Sequence, residues 1–148
     1  MGLKHKFFTG DFQVGKSTAV KQILQSFQSC EIKGVFTTFQ ADSNNSKTVF
    51  LNGYEVGKLQ NHKVLYAYPE IFDTVGVAAI TPDKSTKIIV IDEIGLLEEK
   101  AEKYSIAVIN LLNQTDIPVV GVLRKTSHIK LAETIRNHKN VDLIQLDK

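Results

Sequence analysis

Gly10-Asp11-Phe12-Gln13-Val14-Gly15-Lys16-Ser17-Thr18 decides how the rest of this 148-residue chain is read, because it spells Gly, any four residues, Gly, Lys, then Ser or Thr. Gly10 and Gly15 can adopt positive φ, so the loop can curl and turn successive N–H groups toward phosphate oxygens. Lys16 then supplies a point charge for the β and γ phosphates, and Ser17 offers its hydroxyl to Mg2+. The helix that opens near Gly15 adds the positive end of its dipole. All nine residues, Thr18 included, are therefore candidate nucleotide contacts, with Lys16 also a candidate for catalysis. The flanks agree: Phe7-Phe8-Thr9 leads in as a strand would, and Ala19/Val20, Ile23/Leu24 and Phe27 recur at helical spacing.

A second motif lies downstream. Ile88-Ile89-Val90-Ile91-Asp92-Glu93 is an apolar strand that ends in two carboxylates, and in an α/β sheet ligands sit at the carboxyl ends of strands. Asp92 is the candidate metal-side acid, working with Ser17. Glu93 is the candidate base that polarises the attacking water. Arg124 follows the apolar run 119–123 and should emerge at the same edge, where a guanidinium can stabilise charge on a γ-phosphate.

Between and beyond the motifs, strand and helix patterns alternate. Strands are expected over 3–9, 31–40, 64–68, 87–91, 118–123 and 141–146, and helices after the loop, from Pro69 to Ala79, over 98–112 and over 129–136. Asn52-Gly53 between 48–51 and 54–56 marks a hairpin inserted into this alternation, since both positions tolerate positive φ. The fold class is α/β, a mostly parallel sheet with helices on both faces. With 43% hydrophobic residues, residues 1–148 suffice for a single domain with a real core.

Composition narrows the partners. A formal charge of +2, with 18 Lys+Arg interspersed among 16 Asp+Glu, forms no basic patch, so no nucleic acid is expected. No apolar run reaches membrane-spanning length and no signal-type segment precedes Thr9-Gly10, so no membrane is expected. Met1-Gly2 fails as a lipidation site because Lys6 stands where Ser or Thr is needed. The lone Cys30, read as half-buried at a helix end, suits the cytoplasm. His5, His62, His128 and His138 show no metal spacing, and Tyr66 and Tyr68 could stack a base or simply alternate on a strand.

The loop, Gly34-Val35-Phe36-Thr37, Ile88 to Gly95 and Pro118 to Lys125 together resemble the THEP-type nucleoside-triphosphatase family, also labelled predicted nucleotide kinases. That resemblance implies a RecA-like P-loop NTPase fold and Mg2+-dependent hydrolysis of ATP, GTP and other nucleoside triphosphates to diphosphate and phosphate. It carries over Lys16, Ser17 and Thr18 as phosphate and metal contacts, Asp92 as the metal-side acid and Glu93 as the base. Asp11-Phe12-Gln13 stands where the family loop carries Pro-Pro-Gly, and residues 41–63 have no clear counterpart.

Three other readings compete. A regulatory GTPase would need its base-reading motif after a strand, whereas Asn113-Gln114-Thr115-Asp116 precedes one. A nucleotide kinase must hold two phosphate chains end to end, usually with several arginines, and this chain has only Arg124 and Arg136. A non-catalytic nucleotide-binding module would lack an acid after Asp92, but Glu93 is there. Hydrolysis is the favoured reaction.

Overall fold

The computed structural model of the protein describes residues 4–11, 15–42 and 45–146. Strand β1 spans His5–Gly10, and α1 spans Lys16–Leu24. Strands β2 to β5 span Ile32–Ala41, Ser46–Leu51, Tyr54–Gln60 and Lys63–Ala67. Then come α2 (Pro69–Ile71), a π-helical stretch Phe72–Gly76 and α3 (Val77–Ala79), followed by β6 (Ile88–Ile94) and α4 (Glu102–Asn113). Strand β7 (Val119–Leu123), α5 (Lys130–Arg136) and β8 (Val141–Leu146) end the described chain. The expected elements are present within a few residues, and Leu3 lies outside the described residues.

Among the described residues the eight strands form one sheet in the order β5-β4-β3-β2-β6-β7-β1-β8. From β2 through β6, β7 and β1 to β8 every pairing is parallel; β2 to β5 are antiparallel neighbours. The hairpin expected at Asn52-Gly53 is there, with φ of 48° and 88° at its two turn residues. It does not stand apart as a ribbon, because β2 is long enough to pair with β6 through its first half and with β3 through its second.

The two faces of the sheet are covered separately. Phe8, Ile88, Val90, Val120 and Val122 pack against Val20 and the apolar side of α1. On the other face Phe7, Val35, Ile89 and Ile91 join Phe72, Tyr104, Leu112 and Ile135 from the π-helical stretch, α4 and α5. His5 is fully buried on β1. Its Nδ1 accepts from the Val119 N–H at 2.9 Å, so Nε2 is the protonated nitrogen and donates to the Gln114 carbonyl at 2.8 Å. This histidine ties β1 to the entry of β7, and burial lowers its pKa.

Two expectations are corrected. The fourth helix begins at Glu102, not at Glu98: Glu98 folds back so that its carboxylate accepts the Gly95 N–H at 3.1 Å, while the helix is capped from outside by Asp73, which accepts the Tyr104 N–H at 2.9 Å. Cys30 lies in a short 3-10 turn, Ser29–Glu31, and is exposed. Among the described residues no helix is long and apolar enough to cross a membrane.

Candidate active site

Strand order sets the site. The loop leaves the end of β1, the two acids end β6, and β7 lies between them, so Gly10, Glu93 and Arg124 come from neighbouring strand ends. The connection from β1 runs through α1 toward β2, whereas the one from β7 runs through α5 to β8 on the far side of β1. The crevice where these paths diverge is the place a doubly wound sheet offers to a ligand.

A cavity of about 770 Å3 opens there, lined by Gly10, Asp11, Gly15, Lys16, Ser17 and Thr18 from the loop and α1. Glu93, Leu96, Arg124, Lys125 and Thr126 line it from the strand ends, and Phe39, Lys47 and His62 from the antiparallel part of the sheet. Phe12, Gln13 and Val14 lie outside the described residues. Gly10 and Gly15 have φ of 147° and 90°, and Gly15 takes the left-handed conformation as the N-cap of α1. An L side chain would be strained at that φ, which is the physical reason for glycine at the point where the loop enters the helix.

Each candidate side chain has a defined setting. Lys16 Nζ donates to the Gly10 carbonyl at 3.1 Å, which turns the ammonium toward the end of β1. Ser17 Oγ lies 3.5 Å from Asp92 Oδ1, too far for a strong bond yet close enough to present both oxygens to one ion. Burial raises the Asp92 pKa, opposed by the Ser17 hydroxyl and by Lys21 and Lys16. Burial also holds the Glu93 carboxyl above the usual range; Lys16 and Arg124 pull it down and Asp92 adds to the rise. Glu93 is thus a half-buried carboxylate with three cations, Lys16, Arg124 and Lys47, in electrostatic reach.

The loop after β7 is built to present Arg124. The Arg124 N–H bonds the Ile94 carbonyl at 2.9 Å, tying it to the end of β6, and Nε donates to Thr126 Oγ1 at 3.1 Å. One guanidinium nitrogen lies 3.5 Å from His62 Nδ1. Arg136 points elsewhere: it donates to the carbonyls of Arg124 and Lys125 at 3.1 and 3.2 Å and pairs with Glu133 at 2.6 Å. It braces the turn from beneath.

A family model described as NTPase matches residues 5–148. The chain belongs to that family. Its fold is shared by two solved structures: THEP1 from the hyperthermophile Aquifex aeolicus, at 20% identity and a TM-score of 0.67, covers 95% of this chain and 89% of its own. A human cancer-related nucleoside triphosphatase solved in solution, at 22% identity and a TM-score of 0.67, covers 98% of this chain and 89% of its own. No curated protein sequence matches the chain. The resemblance read from the loop and the Asp92-Glu93 strand holds, and so does the P-loop α/β fold of this NTPase family member.

Other residues of the cavity carry no signal in the sequence. Phe39, Lys47 and His62 are ordinary strand and turn residues until the sheet order brings them over the loop. Glu98 could have been any surface glutamate, yet it is buried, and burial lifts its pKa from 4.5 to about 7. Tyr66 and Tyr68 are not among the residues lining this cavity; their rings lie 5.4 Å apart and Tyr66 donates to Glu55.

Proposed function

We propose that this protein is a Mg2+-dependent nucleoside-triphosphatase that converts ATP, GTP and related triphosphates to diphosphate and phosphate. Residues 1–148 would act as one P-loop NTPase domain in the cytoplasm. The observation that supports the reading is the position of Glu93: a half-buried carboxylate at the end of β6, in electrostatic reach of Lys16 and Arg124, in the cavity that the phosphate loop also lines.

The geometry supports the following roles. The loop from Gly10 to Thr18 takes the phosphate chain on its N–H groups, Lys16 neutralises the β and γ oxygens, and the start of α1 adds its dipole. Ser17 and Asp92 are hard oxygen donors side by side, the donor chemistry Mg2+ prefers, and they would hold it. When bound, Mg2+ supplies positive charge to the β and γ oxygens. Glu93 accepts a proton from the attacking water as its oxygen bonds to the γ phosphorus. The bond from that phosphorus to the β-phosphate oxygen breaks, and the diphosphate leaves with the electron pair. Arg124 meets the charge that spreads over the transferring group.

Incubating the purified protein with Mg2+ and each nucleoside triphosphate, with and without monophosphates, tests this. Free phosphate from the triphosphate alone is expected, and Lys16→Ala should abolish triphosphate binding in calorimetry while the melting temperature stays near wild type. A phosphorylated monophosphate in place of free phosphate would make the protein a kinase.

A further inference from the structure

The antiparallel strands β3, β4 and β5 extend the sheet sideways, and one end of this extension returns to the cavity. Cross-strand pairing sets Phe39 opposite Val49, and Lys47 opposite both Ala41 on β2 and Leu59 on β4. Val49, Leu51 and Leu59 are core residues. Lys47 therefore continues the inward-facing row of β3 past the point where the core stops and the cavity begins.

Its ammonium is held in place there. Lys47 Nζ sits 4.5 Å from the centroid of the Phe39 ring, an aromatic seat that favours a cation over other side chains of that length. Burial and the nearby Arg124 lower its pKa while Glu93 supports its charge, so all three groups share one electrostatic environment. Lys47 is half-buried, and like charge from Arg124 in the same space carries a cost. An anion placed between them offsets that cost. His62, at the tip of the β4–β5 turn, lies within 3.5 Å of the Arg124 guanidinium and so borders the same space.

We propose that Lys47 is a substrate-contacting residue that binds the terminal phosphoryl group of a nucleoside triphosphate from the side opposite the phosphate loop. The inference rests on the hydrolase reading. In it, a γ-phosphate within reach of Glu93 is enclosed by Lys16 from the loop, Arg124 from the end of β7 and Lys47 from the extension. Lys47 takes no proton; its charge strengthens its hold as negative charge spreads over the transferring oxygens. The extension thereby supplies in cis a cation that other phosphate-loop proteins receive from a partner. Phe39 is a positioning residue that aims it.

The experiment compares wild type, Lys47→Met and Lys47→Arg. Calorimetry with Mg2+ reads affinity for a diphosphate and for a β,γ-methylene triphosphate, and phosphate release reads turnover. Lys47→Met is expected to lose about tenfold or more in triphosphate affinity, keep diphosphate affinity and melting temperature, and fall roughly 10²–10³-fold in turnover, the scale seen when one charge-stabilising donor is removed. Lys47→Arg should recover a large part of both. Unchanged triphosphate preference and turnover in Lys47→Met would overturn the proposal, as would equal loss of both affinities together with a lower melting temperature. Absence of phosphate release from wild type would sink the hydrolase reading instead. The triphosphate-over-diphosphate preference then still decides for or against Lys47, because it is read by binding alone.

Discussion

The Lys125 ammonium lies 3.0 Å from the Asp11 carboxylate, so an ion pair spans from the turn after β7 to the phosphate loop. Both side chains are at least half exposed, and such pairs contribute little to stability. Its consequence is electrostatic: Lys125 partly neutralises an acid that lines the same cavity. Asp11→Asn should leave the melting temperature within about a degree or two of wild type and raise triphosphate affinity severalfold, most at low salt. Calorimetry at two ionic strengths checks this, and weaker binding would show that Asp11 is needed in the loop.

Glu93 makes a sharper separation between binding and chemistry. Glu93→Gln keeps shape and removes the base, so turnover should fall roughly 10²–10⁴-fold with nucleotide affinity little changed. The base works only when ionised, and burial holds its pKa above the ordinary 4.5. Activity should therefore rise with pH along a limb displaced upward from 4.5, then level off. The residual activity of Glu93→Gln should lack that limb. A pH–rate profile of both proteins gives the answer, and equal loss of affinity and turnover would reassign Glu93 to metal binding.

The phosphate loop and the acids at the end of β6 were legible because each is a local pattern: glycines where the backbone turns, and carboxylates where an apolar strand stops. Most of the alternating fold was legible for the same reason. Lys47, Phe39 and His62 were not, because their place over the loop depends on β2 pairing with β6, a contact between residues more than fifty positions apart. The hairpin at Asn52-Gly53 announces its turn but not which sheet it joins. Glu98 misled for a different reason, since helical spacing continues through it and only the Gly95 N–H and the external cap at Asp73 move the helix start to Glu102.

Arg124 and Arg136 should respond differently to mutation although they are the only two arginines. Arg124 faces the cavity, so Arg124→Ala should lower kcat roughly 10²-fold or more while KM changes little. Arg136 holds the carbonyls of Arg124 and Lys125 and does not line the cavity, so Arg136→Met should lower kcat less and also lower the melting temperature. Steady-state kinetics with thermal melts separates the two, and a reversed order would exchange their roles.

Glu98 links the site to stability through pH. Its pKa is about 7 in the folded protein against 4.5 as the ordinary value, with burial the main cause. Between these values the folded state holds a proton that the unfolded chain has released, so stability falls as pH rises from 4.5 to about 7, and the deficit persists above. Its full size is on the order of 3 kcal/mol. Glu98→Gln keeps an oxygen to accept the Gly95 N–H but carries no charge at any pH. The variant should therefore gain on wild type steadily from pH 5 to pH 8 in urea denaturation midpoints. An unpaired amide N–H would lower the variant by the same amount at every pH, so the decisive quantity is the change in the gap between the two proteins. A gap that stays constant from pH 5 to pH 8 would mean that Glu98 is ionised throughout and that the Gly95 N–H offsets its burial.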